Sequence, residues 1–382
     1  MVTMLQKSSP LVPSIYPGSV YKFTDLDTYE ESILNPGEEF IYARDGHPNS
    51  IITSNEITKL HNANWGMVTG SGMGAISAVL IGILSSGARI IAGKRLYGRT
   101  LKILEKDFTR FGVQCDIVDE CNLTELKSAL STPASILFIE TITNPTLRVP
   151  NLKEISILTN INKTLLVVDN TFATPLLCKP LEHGADIVIE SLTKIMCGHS
   201  DVTMGYVGGK QGPQENIIKA VKDIGFHASP FDCWLISRSL ETLELRLNES
   251  CKNASELAYW LKLNHPGIRV DFPGLESHED FNISKKQFGN FPGHLIAIEI
   301  PKGREGVNRF LRTAKNIPFC PSLGHSSTSV SHSWSTSHRQ LTSEQKLNLK
   351  ITEGLLRVSV GHEGIEKIIK SFDDGIKAAQ SI

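Results

Sequence analysis

The sequence lacks the features that mark several classes of protein. No apolar run approaches the roughly 20 residues that a membrane-spanning helix needs, and residues 1–10 carry no apolar core like that of a secretory signal peptide. The formal net charge is only −1 and no block of Lys and Arg occurs, so we expect neither nucleic acid nor a membrane as a partner. These absences predict a cytoplasmic protein.

Cysteine pairs are also missing. The seven cysteines are an odd number, and none stands in a C-x-x-C pair, which favours a reduced protein over a disulfide scaffold. His325, His332 and His338 lie close together in the chain, but their spacing is unlike that of standard zinc ligands. No metal site is therefore predicted.

Short apolar runs alternate with helical patterns between about residues 50 and 240, which predicts an α/β fold with a mainly parallel sheet between helices. The predicted strands are Trp65–Val68, Ala88–Ala92, Val113–Val118, Ile136–Ile139, Leu165–Val168 and Ile187–Ile189.

The pattern changes near Phe231. One long helix is predicted for residues 231–263, followed by strands near 294–300 and 355–360, a helix near 303–314, and a C-terminal helix. Residues 322–338, rich in Ser, Thr and His, predict a loop. We therefore predict an extended N-terminal arm that contacts a neighbouring subunit (residues 1–45), a large domain (46–240) and a smaller α+β C-terminal domain (241–382).

An acid and an amine follow two of the predicted strands. Asp169 closes the run that begins at Leu165, and Lys194 lies in Ser191-Leu192-Thr193-Lys194 after the next run. Ligands of such sheets bind beyond the carboxyl ends of the strands. Pyridoxal phosphate (PLP) needs a lysine for its aldehyde, an acid for its pyridine nitrogen and donors for its phosphate, so the pair predicts a PLP site.

Each residue alone has a more ordinary interpretation. An Asp after a strand is most often a turn or cap residue, and a Lys there is most often a solvated surface residue. The segment Gly70-Ser71-Gly72-Met73-Gly74, between a strand and a helix, is a candidate phosphate grip, although many glycine turns bind nothing. Tyr97 is either a core tyrosine or a ring that stacks on the cofactor.

Longer motifs resemble one family of PLP enzymes. They are Val168-Asp169-Asn170-Thr171-Phe172-Ala173-Thr174-Pro175, Gly184-Ala185-Asp186-Ile187-Val188, the segment around Lys194, and Gly198-His199-Ser200-Asp201. The family is the trans-sulfuration, or Cys/Met metabolism, group, with cystathionine γ-synthase, cystathionine β- and γ-lyases, methionine γ-lyase and homoserine sulfhydrylases. The similarity extends from about Tyr42 to Gly361 and implies PLP fold type I, the aspartate aminotransferase-like fold.

The resemblance implies a role for each matching residue. Lys194 forms the Schiff base with PLP and Asp169 pairs with the pyridine nitrogen. Tyr97 stacks on the ring and Asn144, in Glu140-Thr141-Ile142-Thr143-Asn144-Pro145, lies near the phenolic oxygen. Arg357 and the Ser322 loop bind the substrate carboxylate. Tyr42 and Arg44 reach a neighbouring subunit's site. The remaining cofactor contacts are expected from Gly72, Met73, Thr171, Ser191 and Thr193.

Four positions depart from common family patterns. Arg99 stands where Gly or Cys is usual, His47 replaces Asn, Cys197 replaces a frequent Gly, and Ser327 stands where many cystathionine-handling members have Glu. Arg99 and Ser327 lie toward the expected substrate side chain. We expect them to affect the choice of substrate more than the binding of PLP.

The resemblance implies elimination or replacement at Cγ or Cβ of sulfur amino acids or homoserine derivatives. Lys194 is expected to remove the α-proton, with Tyr97 and Tyr42 as candidates to assist. A cystathionine γ-synthase-like or lyase-like enzyme is favoured. The alternatives are an O-acyl-homoserine sulfhydrylase or a methionine γ-lyase and, more distantly, an aminotransferase or a catalytically silent paralogue. Because the resemblance places Arg44 in a neighbouring subunit's site, we expect a homodimer or homotetramer.

Overall fold

The computed structural model describes residues 10–34, 39–210, 212–289 and 291–381, so residues 1–9 and 35–38 of the predicted arm lie outside it. The strands are β1 (Trp65–Thr69), β2 (Arg89–Gly93), β3 (Gln114–Val118), β4 (Ile136–Glu140), β5 (Leu165–Asp169), β6 (Ile187–Glu190), β7 (Gly205–Gly209), β8 (Val270–Asp271), β9 (Leu295–Glu299), β10 (Ser329–Ser331) and β11 (Leu355–Ser359).

Helices cover both faces of the large sheet and one face of a second, smaller sheet. They are α1 (Leu26–Leu34), α2 (Pro48–Leu60), α3 (Gly72–Ile83), α4 (Gly98–Lys102), α5 (Leu123–Leu130), α6 (Leu152–Ile161), α7 (Thr174–Leu177), α8 (Gln214–Ile224), α9 (Pro230–Leu240), α10 (Leu243–Asn264), α11 (Phe281–Phe288), α12 (Gly303–Thr313), α13 (Ser343–Asn348) and α14 (Ile365–Gln380). A π-helical turn, Ile103–Phe108, continues α4, and a 3₁₀ turn spans Pro180–His183. Within the described ranges no helix is long and apolar enough to cross a membrane.

The large sheet has seven strands in the order β1-β7-β6-β5-β4-β2-β3. All its pairs are parallel except the two that β7 makes with β1 and β6. Both faces of the sheet are buried: in β5, Leu166 and Val168 pack into one apolar cluster while Val167 packs into another. This explains why the parallel strands appear as continuous apolar runs in the sequence. The predicted α/β fold with a mainly parallel sheet is confirmed.

Acidic residues end three neighbouring parallel strands. Glu140 ends β4, Asp169 ends β5 and Glu190 ends β6, and the pairing of these strands places the acids at one edge of the sheet. Helix α3 begins just beyond the end of β1, with Ser71 as its N-cap. The edge therefore combines buried carboxylates with the start of a helix.

A second, antiparallel sheet of four strands has the order β10-β11-β9-β8. In β11, Leu356 and Val358 pack with α12 and α14, whereas Leu355 packs into the apolar cluster of the large sheet. Because side chains alternate along a strand, Arg357 lies on the same face as Leu355. The small sheet thus presents Arg357 toward the large one.

The structure differs from the sequence prediction in several elements. The single helix predicted for 231–263 is two helices, α9 and α10, which are separated at Glu241 and Thr242. Strand β7 has the sequence Gly-Tyr-Val-Gly-Gly, which has little strand propensity, and the short β10 lies inside the predicted 322–338 loop. Helix α1 lies in the segment predicted as an extended arm.

Candidate active site

A cavity of about 680 Å³ lies at the carboxyl edge of the large sheet, between that sheet and β11. It brings together residues that are distant in sequence but predicted to share one site. Those that line it are Gly72, Met73, Tyr97, Arg99, Asn144, Asp169, Thr171, Ser191, Thr193, Lys194, Ser322 and Arg357.

Asp169 has one carboxylate oxygen in use and one free. Its Oδ1 accepts hydrogen bonds from the Thr171 amide (3.0 Å) and the Thr171 hydroxyl (2.5 Å). Among the described residues, Oδ2 has no hydrogen-bond partner, and the half-buried side chain lines the cavity. Burial raises the pKa of Asp169 to about 6, against the effect of the Thr171 hydrogen bonds. An unpaired carboxylate oxygen that faces a cavity suits a cationic N–H such as a protonated pyridine.

Lys194 lies in the turn that follows β6, and its Nζ donates to Ser322 Oγ at 3.2 Å. Burial, with a smaller contribution from the positive charge of Arg357, lowers the pKa of the amine. No carboxylate pairs with Lys194 in the part of the chain that the structure describes. A desolvated amine of lowered pKa is a better nucleophile and base than a surface lysine.

The start of α3 forms a cradle for an anion. Ser71 Oγ accepts from the Gly74 amide, and the amides of Gly72 and Met73 have no partner in the described ranges. A Cβ on Gly72 would lie 2.8 Å from the Ser191 Cβ, so the close approach of the two segments requires glycine. Free amides at a helix N-terminus bind phosphate well.

Thr193 also lines the cavity, but its hydroxyl has partners. It donates to the Met204 carbonyl at 3.2 Å and accepts from the Met204 amide at 3.0 Å. Ser191 differs, because its amide donates to Thr171 Oγ1 while its own hydroxyl makes no hydrogen bond to a described residue. Of the two hydroxyls predicted to bind phosphate, Ser191 is therefore the one that is available.

Arg357 is a buried guanidinium without an anionic partner in the described ranges. Its Nη1 donates to Asn144 Oδ1 at 2.8 Å and its Nη2 to the Ser322 carbonyl at 3.0 Å, while Nε is buried with no hydrogen-bond partner. The group also lies 5.6 Å from the centre of the Phe172 ring. Burial lowers the pKa of Arg357 to about 10. Such a group is stabilised by an anionic ligand, and a carboxylate matches its fork.

Glu140 is a site residue to which the sequence analysis assigned no role. Its Oε1 accepts from the Tyr97 amide at 2.7 Å and its Oε2 from the Asn144 amide at 3.2 Å. Burial, and then the negative charge of Asp169, raise the pKa of Glu140 well above its ordinary value. The Glu140 carboxyl thus holds the backbone of Tyr97 and of Asn144 in place. Asn144 is in turn the residue to which Arg357 donates a hydrogen bond. Its place at a strand end was the signal that could have identified it.

Glu190 ends β6 directly before Ser191 and is fully buried. Its Oε1 lies 3.2 Å from His61 Nε2 and accepts from Asn170 Nδ2 at 3.0 Å. The Asn170 Oδ1 in turn accepts from the Thr141 hydroxyl at 2.6 Å. This network supports the segments that carry Asp169 and Ser191 from the opposite face of the sheet.

Three predicted residues do not line this cavity. Tyr42 and Arg44 line a different one, where the Arg44 guanidinium lies 5.3 Å from the centre of the half-exposed Tyr42 ring. Ser327 lies in the loop after Ser322 but not in the cavity wall. The roles given to Tyr42 and Arg44 in a neighbouring subunit, and to Ser327 in substrate binding, stay predictions.

Arg99 lies at the outer part of the cavity, where basic residues predominate. Its side chain is exposed, and we find no hydrogen bond or ion pair to it from the described residues. Lys102, Lys106 and Arg339 line the same part of the wall, with Glu105 as the acidic member. This end of the cavity is suited to a negatively charged group.

Comparison with known proteins gives a consistent result. The family model described as Cys/Met metabolism PLP-dependent enzyme matches residues 3–377. L-methionine gamma-lyase of Fusobacterium nucleatum subsp. polymorphum is 37% identical over 371 residues, which is 96% of this chain and 93% of that protein. Cystathionine beta-lyase of Lactococcus lactis subsp. cremoris is 34% identical over 351 residues, 92% of each.

A solved structure shows the same similarity in three dimensions. Cystathionine gamma synthase from Xanthomonas oryzae pv. oryzae, in complex with aminoacrylate and cysteine, superposes with a TM-score of 0.91. The two sequences are 29% identical, and the match covers 97% of this chain and 94% of that one.

Proposed function

The chain belongs to the Cys/Met metabolism family of PLP-dependent enzymes, and on this premise we propose that it is a carbon–sulfur lyase. The proposed reaction removes a sulfur substituent from Cγ or Cβ of an L-amino acid, as the names of the methionine γ-lyase and cystathionine β-lyase relatives suggest. The observation that carries the proposal is one cavity that holds the Lys194 amine, the half-satisfied Asp169 carboxylate and the Arg357 guanidinium.

The residues of the cavity fit PLP. The free Asp169 oxygen would accept the pyridine N–H, the amides of Gly72 and Met73 with the Ser191 hydroxyl would hold the phosphate, and the Tyr97 ring would pack against the heterocycle. When bound, PLP supplies an electron sink for charge that develops at the substrate Cα. Asp169 supports this chemistry because an anion beside the pyridine nitrogen keeps that nitrogen protonated.

The protein's own groups then have separate tasks. Arg357 binds and orients the α-carboxylate of the substrate, because its fork has no other anion to pair with. The Lys194 amine takes the proton from Cα, since burial lowers its pKa and so favours the neutral form that can accept a proton. For a leaving group at Cγ, a second proton is lost from Cβ. The Tyr97 hydroxyl is the candidate to protonate the departing sulfur.

Arg99 and its basic neighbours favour one kind of substrate within this reaction. A side chain that ends in a carboxylate, as in cystathionine, would meet Arg99, Lys102 and Lys106, whereas the neutral thioether of methionine gains nothing from them. We therefore rank cystathionine-like substrates ahead of methionine, although methionine γ-lyases are among the similar proteins. O-acyl-homoserine replacement is the second candidate, since a succinylated substrate carries the same terminal charge.

A direct assay tests the proposal. The purified enzyme is given L-cystathionine, L-methionine and O-acylated homoserines, and the keto acid and thiol products are quantified. Release of 2-oxobutyrate indicates γ-elimination and pyruvate indicates β-elimination. Lys194→Ala should lose both turnover and the yellow absorbance of the bound cofactor, whereas Lys153→Ala, an exposed lysine outside the cavity, should lose neither. No keto acid from any of these substrates would refute the lyase proposal.

The active site is proposed to be completed by a second subunit. Arg44 and Tyr42 are too remote to line their own chain's cavity, and the N-terminal segment exposes Leu11, Val12 and Val20. Apolar groups exposed in one chain are stabilised when another chain covers them. We propose a homodimer, or a homotetramer of two such dimers, in which Arg44 contributes to the neighbour's phosphate site.

Mixing two inactive variants tests this arrangement. Arg44→Ala and Lys194→Ala are unfolded and refolded together or co-expressed. If Arg44 acts in the neighbouring site, half of the random dimers are hybrids with one intact site, so activity recovers to about a quarter of the wild-type value. If Arg44 acts in its own chain, every hybrid site lacks a needed residue and activity stays at the level of the separate variants.

The proposed location is the cytoplasm. All seven cysteines are free, including the half-buried residues Cys115, Cys121 and Cys320. Free thiols persist where glutathione and thioredoxin keep them reduced. Fractionation of cells that carry the tagged protein tests this location.

A further inference from the structure

A group of potential metal ligands lies in the turn that follows Lys194. The Cys197 Sγ, a ring nitrogen of His199 and a carboxylate oxygen of Asp201 all lie within 4.8 Å of one another. Cys197 is buried, while His199 and Asp201 are exposed, so the group is open to solvent on one side. The proposed reaction uses none of these three side chains.

The spacing is close to what a tetrahedral ion needs. Bonds of about 2.0 to 2.3 Å from Zn²⁺ to N, O and S ligands place neighbouring ligand atoms about 3.3 to 3.8 Å apart. The Cys197 thiol donates a hydrogen bond to Asp201 Oδ1 at 3.2 Å, so these two atoms already lie near the separation that an ion would need in place of the thiol proton. Side-chain movements of about 1 Å would therefore complete the geometry.

His199 has the tautomer that metal-binding histidines commonly have. Its Nδ1 lies 2.6 Å from the Cys197 carbonyl oxygen, to which it can only donate, so the lone pair is on Nε2. Nε2 makes no hydrogen bond to any residue in the described part of the chain. A histidine that donates one ring N–H to a carbonyl and offers the other nitrogen is the usual arrangement around protein-bound zinc.

The local charge also favours a cation. Metal binding would release the proton of the Cys197 thiol, and the thiolate so formed, together with the Asp201 carboxylate, would place two negative charges beside the ion. Arg246 is the cation beside them, and it is engaged with the carbonyls of Ile195 (2.7 Å) and Met196 (3.2 Å). His325 Nδ1 shares a hydrogen bond with Ser200 Oγ at 3.2 Å.

We propose that Cys197, His199 and Asp201 form a site for one divalent cation of the Zn²⁺ class, with water as the remaining ligand. A thiolate, an imidazole and a carboxylate are the donor set that this borderline ion accepts. The site depends on a cysteine at position 197, where the family frequently has Gly. It was not predicted from the sequence, because the C-x-H-x-D spacing is not a standard zinc motif.

The ion would stabilise the turn that carries the catalytic lysine. The Gly198 amide donates to the Lys194 carbonyl at 2.8 Å, and the Gly198 carbonyl accepts from the Ser326 amide at 3.0 Å. Fixing residues 197–201 therefore also fixes the loop that includes Ser322. The expected effect is a higher melting temperature, with little change in turnover, because the ion does not touch the cavity.

Metal content of the holoenzyme tests the proposal. The PLP-loaded protein is stripped with a chelator, titrated with Zn²⁺, and analysed for zinc per chain by mass spectrometry. One ion per chain is expected for the wild type, with at least about tenfold weaker binding for Cys197→Ser and His199→Gln. Cys115→Ser, in the distant strand β3, is the matched control and should bind like the wild type.

Cobalt provides an independent readout. Co²⁺ in the site should give a sulfur-to-metal charge-transfer absorption that is present in Cys115→Ser and absent in Cys197→Ser. The yellow cofactor absorbance and the metal-free melting temperature show whether each variant folds. If Cys197→Ser does not, His199→Gln and Asp201→Asn alter exposed side chains and decide the question. A stoichiometry far below one, or equal zinc affinity in the wild type and the variants, would overturn the proposal.

Discussion

The sharpest test of the substrate site is the replacement of Arg357 by lysine. The guanidinium is buried and uses two of its nitrogens for Asn144 Oδ1 and the Ser322 carbonyl, so its position is fixed before any ligand arrives. Lysine keeps the positive charge but offers a point charge instead of a fork. Arg357→Lys therefore removes the proposed bidentate contact with the substrate α-carboxylate while the charge balance of the cavity is preserved.

The magnitude follows from the hydrogen bonds lost. One hydrogen bond to a charged group is worth about 1.5–3 kcal/mol, and each 1.4 kcal/mol is a factor of ten, so kcat/KM should fall by roughly 10- to 150-fold. Most of the fall should be in KM, since binding of the carboxylate is shared by the ground state and the transition state. The cofactor absorbance should not change, because Arg357 is not assigned to PLP.

Steady-state kinetics with the substrate and with its decarboxylated amine measure the effect. Wild type should prefer the amino acid strongly, and Arg357→Lys should lose most of that preference. Arg269→Lys, on the far side of the small sheet where the arginine pairs with Asp271, is the control and should behave as wild type. Unchanged kcat/KM in Arg357→Lys, or an equal loss for both substrates, would refute the assignment.

Three further predictions concern buried ionisable groups. In Glu140→Gln one amide oxygen replaces two carboxylate acceptors, so the backbone amide of Tyr97 or of Asn144 loses its partner. Urea denaturation should show that the free energy of unfolding falls by about 1–3 kcal/mol. An unchanged urea midpoint would contradict the role of Glu140. Because the pKa of Asp169 is raised to about 6, the carboxyl must lose a proton before it can pair with a pyridinium. The affinity of the cofactor-free protein for PLP, measured by the absorbance of bound PLP, should therefore fall as the pH falls through that value. Asp169→Asn should abolish this pH dependence. Burial lowers the pKa of His294 from 6.5 to about 4, so His294 binds a proton more readily in the unfolded chain than in the native one. The contribution of neutral His294 to stability is therefore intact above pH 6.5 and is lost as the pH falls toward 4. The urea midpoints at about pH 7 and about pH 5 should lie closer together in His294→Phe than in the wild type.

The parallel strands, and Asp169 and Lys194 at their ends, could be predicted from the sequence. A strand that is buried on both faces is apolar at every residue, and this pattern is visible in the sequence. Val167, Val168 and their neighbours form continuous apolar runs, and a polar residue that ends such a run falls at the ligand-binding edge. The sequence alone therefore predicted that Asp169 and Lys194 lie in one site.

Other elements left no comparable signal. Strand β7 is built largely from glycine and is held by its neighbours in the sheet, so tertiary contacts override its low strand propensity. The role of Glu140 depends on amides that are 43 and 4 residues away, and no spacing rule indicates the longer contact. The roles proposed for Tyr42 and Arg44 involve a second chain, and the structure of one chain contains no such partner for them.

The three acids that end β4, β5 and β6 have a consequence for how the protein must be handled. Glu140, Asp169 and Glu190 lie at one edge of the sheet, and this destabilises the folded protein without its cofactor. The reason is that Glu140 and Asp169 repel each other and both lose hydration. A cationic ring that binds only the native state relieves this repulsion and shifts the folding equilibrium. Cultures short of vitamin B6 should consequently yield less intact polypeptide, and supplementation during expression should protect it from proteolysis.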